Sequence, residues 1–345
     1  MALLQREVQG MELARAVVGS IKRFKGQKMY FDPEIEIDQA TQFFELSMPS
    51  MNYIISGKYF GPQSGFAWGK IYDFTGNESV GKTAMALQIA GEVYQAGGRV
   101  LFIDGESSAN IKDYFEMYGL DGNDTNRVHF VSLDSIEDAA DVITKYVEAN
   151  SIDLYIVDSV TGLGSLIVNE KDADSNSMGA LSRRLSQHLG KVQGKLGKVG
   201  ISGIYINQLR NVNKGMFWVE EGTGGNAMKF YSHVRLMFKY VDRPKDDKGH
   251  EARIKAFKNK VAIPQRQTIM KFIPMHGFDP VFDKASVAAN FDVIKIGGAG
   301  WTSAKTEDGT EIFKIQGFDN AVEFLRENPD ILNALWERTK EIIGS

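Results

Sequence analysis

The chain has 345 residues, 40 basic against 44 acidic side chains for a formal net charge of −4, no cysteine and five histidines. A chain of this length supports more than one domain and a core that folds without covalent staples. The absence of cysteine excludes disulfides, thiolate metal centres, iron–sulfur clusters and a thiol nucleophile, while the acidic balance excludes nucleic-acid binding by overall charge and leaves a local basic patch open. No apolar run approaches the roughly 18 residues of a membrane span. Residues 1–20, interrupted by Glu7 and Glu12, lack the basic start and apolar centre of a secretory signal, so no membrane association and a cytoplasmic location are expected.

From Met11 to Phe24, apolar residues at Leu13, Ala14, Val17, Val18, Ile21 and Phe24 follow helical spacing and predict an amphipathic helix. Residues 27–47, with Pro33 and mixed charge, read as a connector, giving a first unit over 1–47. A second unit over 48–282 alternates short β-rich runs with helical stretches. Its expected strands are Lys70–Phe74, Arg99–Asp104, Val128–Val131, Asp153–Asp158 and Gly203–Asn207, with Val234–Tyr240 and Ala252–Asn259 as an antiparallel continuation. This is the pattern of an α/β protein with a mostly parallel central sheet flanked by helices. Residues 283–345 predict a small α+β domain, with a hairpin within Gly300–Lys314 and two helices split at Asn328-Pro329.

Chemistry concentrates where these strands end. Gly76, Asn77, Glu78, Ser79, Val80, Gly81, Lys82 and Thr83 form G-x-x-x-x-G-K-T between an apolar strand and a helical run. In such a loop backbone N–H groups wrap phosphates at a helix N-terminus, Lys82 reaches the terminal phosphates and the Thr83 hydroxyl ligates Mg²⁺. The alternative is a glycine turn before an ordinary helix, which a chance match would produce in about one such chain in fifty; the strand before the loop and the helix after it favour nucleotide binding. Asp158, ending the apolar strand Leu154–Val157, suits a Mg²⁺-associated carboxylate beside Thr83; a strand-end Asp also serves as a turn or N-cap residue. Glu106 lies just past the strand ending at Asp104, where ligands collect in open α/β sheets. It can orient a water against a γ-phosphate, or with Asp104 cap the next turn. Gln208, after Ile204–Asn207, stands at a similar strand end within reach of a γ-phosphate, or is simply polar.

From Ser175 to Val219 the sequence holds Arg183, Arg184, Lys191, Lys195, Lys198, Arg210 and Lys214 and no acid. Within it Arg184, His188, Lys191, Lys195 and Lys198 recur at helical spacing beside an apolar stripe of Leu181, Leu185, Leu189, Val192 and Leu196, a pattern that by itself reads as a solvated face. The stretch Arg210–Asn226 has no clean period, is glycine-rich and is too long for an idle connector. Its basic groups, its backbone amides at Thr223–Gly225 and its apolar side chains suit a single nucleic-acid strand; Met216, Phe217 and Trp218 also suit a core or a subunit contact.

In order and spacing, G-N-E-S-V-G-K-T (76–83), F-I-D-G-E (102–106), I-V-D-S (156–159), I-N-Q-L-R (206–210), G-G-N-A-M-K-F-Y (224–231) and Lys258-Asn-Lys260-Val-Ala-Ile-Pro264 resemble the RecA recombinases over nearly the whole chain. The resemblance implies a RecA-like ATPase core preceded by a docking helix and followed by a small C-terminal domain. It implies ATP and Mg²⁺ as cofactors, single-stranded and homologous duplex DNA as partners, and a homo-oligomeric helical filament. By position, Glu106 would activate water, Asp158 would attend Mg²⁺, Gln208 would sense the γ-phosphate and Tyr114 would stack on adenine. Lys258 and Lys260 would reach the ATP of the neighbouring protomer, and Phe230 would sense the adjacent nucleotide. Two DNA-binding loops fall at Asn169–Asn176 and Arg210–Asn226, with DNA contacts at Met178, Arg183, Gly224 and Gly225 and candidates at Arg210, Val212, Lys214, Met216 and Phe217. Asn211–Met216 departs from the family's more apolar and basic run, leaving Val212 and Met216 as alternatives for the side chain inserted between base triplets. Gly190 replaces another basic contact, next to Lys191. These departures suggest a divergent or phage-encoded member. Two rival functions on the same core are a ring-forming helicase motor and an ATP-gated DNA scaffold without turnover.

Overall fold

The β-rich segments pair into one large sheet, and the order of pairing decides where a ligand can sit. The computed structural model describes residues 41–106, 111–164, 176–213, 218–222, 225–241 and 249–344. The expected N-terminal helix and most of its connector fall outside them. Helices and strands follow one another as β1 (Phe43–Phe44), α1 (Pro49–Ser56), β2 (Phe66–Ala67), β3 (Ile71–Gly76), α2 (Lys82–Gln95), β4 (Val100–Asp104), α3 (Ile111–Met117), β5 (Val128–Ser132), α4 (Ile136–Glu148), β6 (Leu154–Asp158), α5 (Asn176–Val199), β7 (Ser202–Asn213), β8 (Trp218–Gly222), α6 (Gly225–Tyr231), β9 (Val234–Tyr240), β10 (His250–Asn259), β11 (Gln267–Ile273) and β12 (Gly277–Phe278). Then come α7 (Pro280–Asn290), β13 (Ile294–Ile296), β14 (Trp301–Lys305), β15 (Glu311–Gln316), α8 (Phe318–Glu327) and α9 (Pro329–Gly344).

The strand order is β12-β11-β10-β9-β3-β7-β6-β4-β5, with β8 paired to β7. Strands β5, β4, β6, β7, β3 and β9 run parallel, so the carboxyl ends of β3, β4, β6 and β7 share one edge. The expected antiparallel continuation needs one correction: β9 is parallel to β3, and the reversal begins at β10. A seven-residue run such as Val234–Tyr240 carries no mark of its direction, since direction is set by the connection before it.

Helices cover both faces, which is why these strands read as nearly continuous apolar runs. On one face Phe74, Phe102, Ile156, Ile204, Ile206 and Leu236 pack with Met85, Leu87 and Ile89 of α2. On the other, Leu101, Ile103, Val157 and Tyr205 pack with Ile143 of α4 and with Leu185, Leu189, Val192 and Leu196 of α5. The apolar stripe of α5 is therefore core. Its basic stripe is not one cationic face: His188 is buried on the Tyr205 hydroxyl at 3.0 Å, Arg184 pairs with Glu137 at 3.5 Å and Lys195 with Glu148 at 2.5 Å.

The Arg210–Asn226 stretch is also more regular than its composition implies. Strand β7 continues past Asn207 to Asn213 and folds back as β8, with Leu209 opposite Gly222 and Asn213 opposite Trp218. Strands β13, β14 and β15 form a separate antiparallel sheet. It encloses its own core with α7, α8 and α9, built on Phe282, Ile294, Phe313, Leu325 and Leu335.

Candidate nucleotide site and its surroundings

The loop after β3 takes its shape from two glycines. A Cβ on Gly76 would lie 2.3 Å from the Phe238 carbonyl oxygen, and Gly81 has φ +101°. Only glycine meets both demands without strain. Ser79 also takes a positive φ of 56°, Val80 is buried, and the Tyr240 hydroxyl donates to the Glu78 carbonyl at 2.9 Å, tying the loop to β9. Helix α2 then opens at Lys82 with no side-chain cap and no acid in its first turn. Its first N–H groups have no side-chain partner, which favours an anion.

Lys82 Nζ donates to the carbonyls of Gly76 at 3.1 Å and Asn77 at 2.5 Å. Burial pushes this ammonium down to about 8, and the carboxylates of Asp158, Glu106 and Glu78 pull it back up. Thr83 Oγ1 donates to Asp158 Oδ2 at 2.7 Å. Burial pushes Asp158 up to about 7; the Thr83 bond and Lys82 oppose the rise, while Glu106 and Asp104 add to it. A cation and a carboxyl, each held away from its ordinary range, are what a phosphate and a divalent cation would relieve.

Asp104 and Asp158 are opposite each other in the β4–β6 register. They do different work. Asp104 Oδ1 accepts the Glu106 N–H at 2.9 Å, which is the turn-capping role. Glu106 itself is exposed, and its carboxylate is held at the strand ends: its Oε1 accepts from Ser159 Oγ at 2.5 Å and from Gln208 Nε2 at 3.3 Å. Gln208 pairs in register with Gly76, so β7 lays it directly beside the start of the phosphate loop. It lies inside β7 and not at its end, because the strand runs on into the hairpin.

The structure thus brings Gly76–Thr83, Glu106, Asp158 and Gln208 together and adds Ser159, whose only sequence signal is its place after Asp158. The exposed Tyr114 ring stands on α3. Lys258, Lys260 and Phe230 are elsewhere. Lys258 is opposite Arg235, and Arg235 is opposite Asp73, three residues before Gly76 or about 10 Å along the strand. Lys258 Nζ donates to the Lys229 and Phe230 carbonyls at 2.5 and 3.2 Å; burial and repulsion by Lys260 and Arg235 push it down to about 8. Lys260 is exposed, and Phe230 is 70% exposed. Of the nucleic-acid candidates, Met178 lies in the first turn of α5, Arg183 is exposed on α5, Arg210 and Val212 lie in β7 and Gly225 opens α6. Lys214, Met216, Phe217 and Gly224 lie outside the described residues, as do residues 165–175 of the first loop.

A family model for the RecA N-terminal domain matches residues 56–279. The Protein RecA of Petrotoga mobilis is 35% identical over 276 residues, covering 79% of this chain and 73% of that protein. Those of Amycolatopsis mediterranei and Bacillus pumilus are each 32% identical over 284 residues, 81% of this chain and 79% of theirs. The chain belongs to the RecA family. The large, mostly parallel sheet flanked by helices is the RecA-like core that the sequence implied. RecA-family proteins are ATP- and DNA-binding proteins of recombination and repair that use ATP with Mg²⁺.

The residues present fit that pair of cofactors. The glycine turns, the uncapped N-terminus of α2 and Lys82 suit the phosphates. Among the described residues no group of three or more His, Asp or Glu could hold a metal unaided. Thr83 and Asp158 would supply two oxygens, leaving the rest to phosphate and water, the arrangement Mg²⁺ favours. No described helix is long and apolar enough to cross a membrane.

Proposed function

We propose that the protein is a DNA-dependent ATPase that assembles as a filament on single-stranded DNA, pairs it with homologous duplex and exchanges strands. The observation that carries this reading is the position of Gln208: its side chain holds Glu106, and its strand runs without a break into the β7–β8 hairpin where the second DNA loop is expected. Bound ATP with Mg²⁺ supplies the phosphoanhydride and the Lewis acid. The chain's part is to bind phosphate through Gly76–Thr83, to hold the metal at Thr83 and Asp158, and to let Glu106 take a proton from the attacking water. Tyr114 offers its ring to the adenine. Lys258, Lys260 and Phe230 face a neighbouring protomer, whose nucleotide they complete and sense. Met178, Arg183, Arg210, Val212, Lys214, Met216, Phe217, Gly224 and Gly225 serve the DNA. The division into an N-terminal docking unit to residue 47, a core to 282 and a C-terminal domain belongs to the same reading, as does a cytoplasmic setting.

The test is ATP hydrolysis without DNA, with single strands and with duplex, comparing wild type and Glu106→Gln and imaging the same samples. Turnover stimulated by single strands, lost in the variant and accompanied by helical filaments, is the expected result. Closed rings or unstimulated turnover would replace it with the helicase motor, and no turnover in wild type with the scaffold.

A further inference from the structure

Asp73 is fully buried in the middle of β3 and is bound on both oxygens. Its Oδ2 accepts from Arg235 Nε at 2.6 Å; its Oδ1 accepts from Asn207 Nδ2 at 2.5 Å and from Thr75 Oγ1 at 2.9 Å. A buried ion pair is a poor way to gain stability, since its desolvation offsets most of its attraction and apolar side chains of similar volume do as well. What this pair does is hold three adjacent strands at one level: Asp73 is in register with Arg235 on one side and Tyr205 on the other.

Each arm ends beside a residue of the proposed function. Asn207 immediately precedes Gln208, so the bond to Asp73 fixes β7 one residue from the side chain that holds Glu106. On the other side the Arg235 guanidinium lies over the Phe257 ring at 4.5 Å. The β9–β10 register shifts between Ala256 and Lys258, so Phe257 is the bulged residue. A bulge re-aims the side chains beside it. Here it is followed by Lys258, which caps the carbonyls of Lys229 and Phe230 at the end of α6.

We infer that the Asp73–Arg235 pair is a positioning link, joining Gln208 on the nucleotide edge of the sheet to Lys258 and the exposed Phe230 beyond β9. The inference rests on the proposed function for what the two ends do, but the link itself is testable without turnover. The decisive variant is the charge-free Asp73→Asn/Arg235→Gln pair, because Asp73→Asn alone strands a buried guanidinium. Asn207→Ala leaves the ion pair whole and cuts only the Gln208 arm, so it decides the matter should the double variant fail to fold.

Amide hydrogen exchange is measured on the full chain at a concentration where sedimentation finds single chains, with and without Mg²⁺ and a non-hydrolysable ATP analogue. In wild type the analogue should slow exchange at Gln208 and also at Lys229–Tyr231 and Lys258–Lys260, by about threefold or more. Both variants should keep the first effect and lose the second, with analogue affinity unchanged within about twofold; with single-stranded DNA, kcat should fall about tenfold. Persistence of the Lys258–Lys260 response in the variants, or its absence in wild type, would overturn the link. A wild type that hydrolyses nothing overturns the proposed function instead, and the exchange result still decides the link.

Discussion

At the scale of single residues, the site depends on a few bonds to charged groups, and those are the strong ones. Ser159 is the sharpest case, because its hydroxyl and Gln208 are the two side chains seen to hold Glu106 Oε1. Ser159→Ala should lower kcat about tenfold, the effect of losing a hydrogen bond of roughly 1.5 kcal/mol to a charged group. Nucleotide affinity should stay within about twofold, which a fluorescent ATP analogue would measure. His188 permits a prediction about pH. Burial pushes its folded-state value down to about 4 from 6.5, with Lys191 adding to the shift. Between pH 6.5 and 4 the unfolded chain therefore takes up a proton that the folded chain refuses, so this contribution to stability falls as the pH falls. The buried carboxyls Asp158 and Asp283, pushed up to about 7 and about 6, work in the opposite sense over much of that window. His233, which burial likewise pushes down to about 4, acts in the same sense as His188 and brings the two sides close to balance, so wild-type stability should vary little there. His188→Gln removes one of the opposing terms: relative to wild type it should gain stability on going from pH 7 to 4.5, approaching about 3 kcal/mol, as read from urea unfolding at each pH.

At the scale of elements, helix α2 shows how close approach overrules local propensity. Gly91 lies within it, and a Cβ there would stand 1.7 Å from the Tyr118 carbonyl oxygen in the turn after α3. Propensity alone predicts that Gly91→Ala stabilises the helix by about 1 kcal/mol. The clash with backbone must win, because neither element can move without opening the core that holds Phe115 and Leu120. The expected result is a loss of about 1–3 kcal/mol and a lower melting temperature. The same contest explains what the sequence disclosed. Strands such as Val100–Asp104 and Leu154–Asp158 were legible because burial on both faces forces unbroken apolar runs, and the phosphate loop because its glycines and lysine are demanded at fixed spacing. The β7–β8 hairpin was not, since pairing between Leu209–Asn213 and Trp218–Gly222 leaves no periodic trace in a stretch rich in glycine and asparagine. Nor was Asp73: a lone acid inside Ile71–Gly76 reveals its partners only when Asn207 and Arg235 arrive from 134 and 162 residues away. The roles of Arg184 and Lys195 were equally hidden, because the acids that pair with them belong to α4.

At the scale of the whole molecule, two separate places on the central sheet carry different halves of one proposed site. Gly76–Thr83, Glu106 and Asp158 gather at the carboxyl ends of the parallel strands. Lys258, Lys260 and the exposed Phe230 gather about 10 Å back along the ladder, and the Lys258 ammonium is turned to α6. A chain arranged this way cannot close its own lysines over its own phosphates without breaking the β3–β9–β10 ladder, but a head-to-tail neighbour can supply them, as heterologous interfaces do in open helical assemblies. The consequence is complementation. Lys82→Ala chains lack a working phosphate loop, and Lys258→Ala/Lys260→Ala chains lack the residues offered to a neighbour, so each alone should show almost no turnover stimulated by single strands. Mixed in equal amounts, about one junction in four pairs an intact loop with intact lysines, and turnover should recover to about a quarter of the wild-type rate. Adding Phe230→Asp to the Lys82→Ala partner puts a charge on the exposed side chain proposed to face the neighbour and should abolish that recovery. A mixture no more active than its parts would mean that no neighbour completes the site, and Lys258 would then be left with the capping of α6.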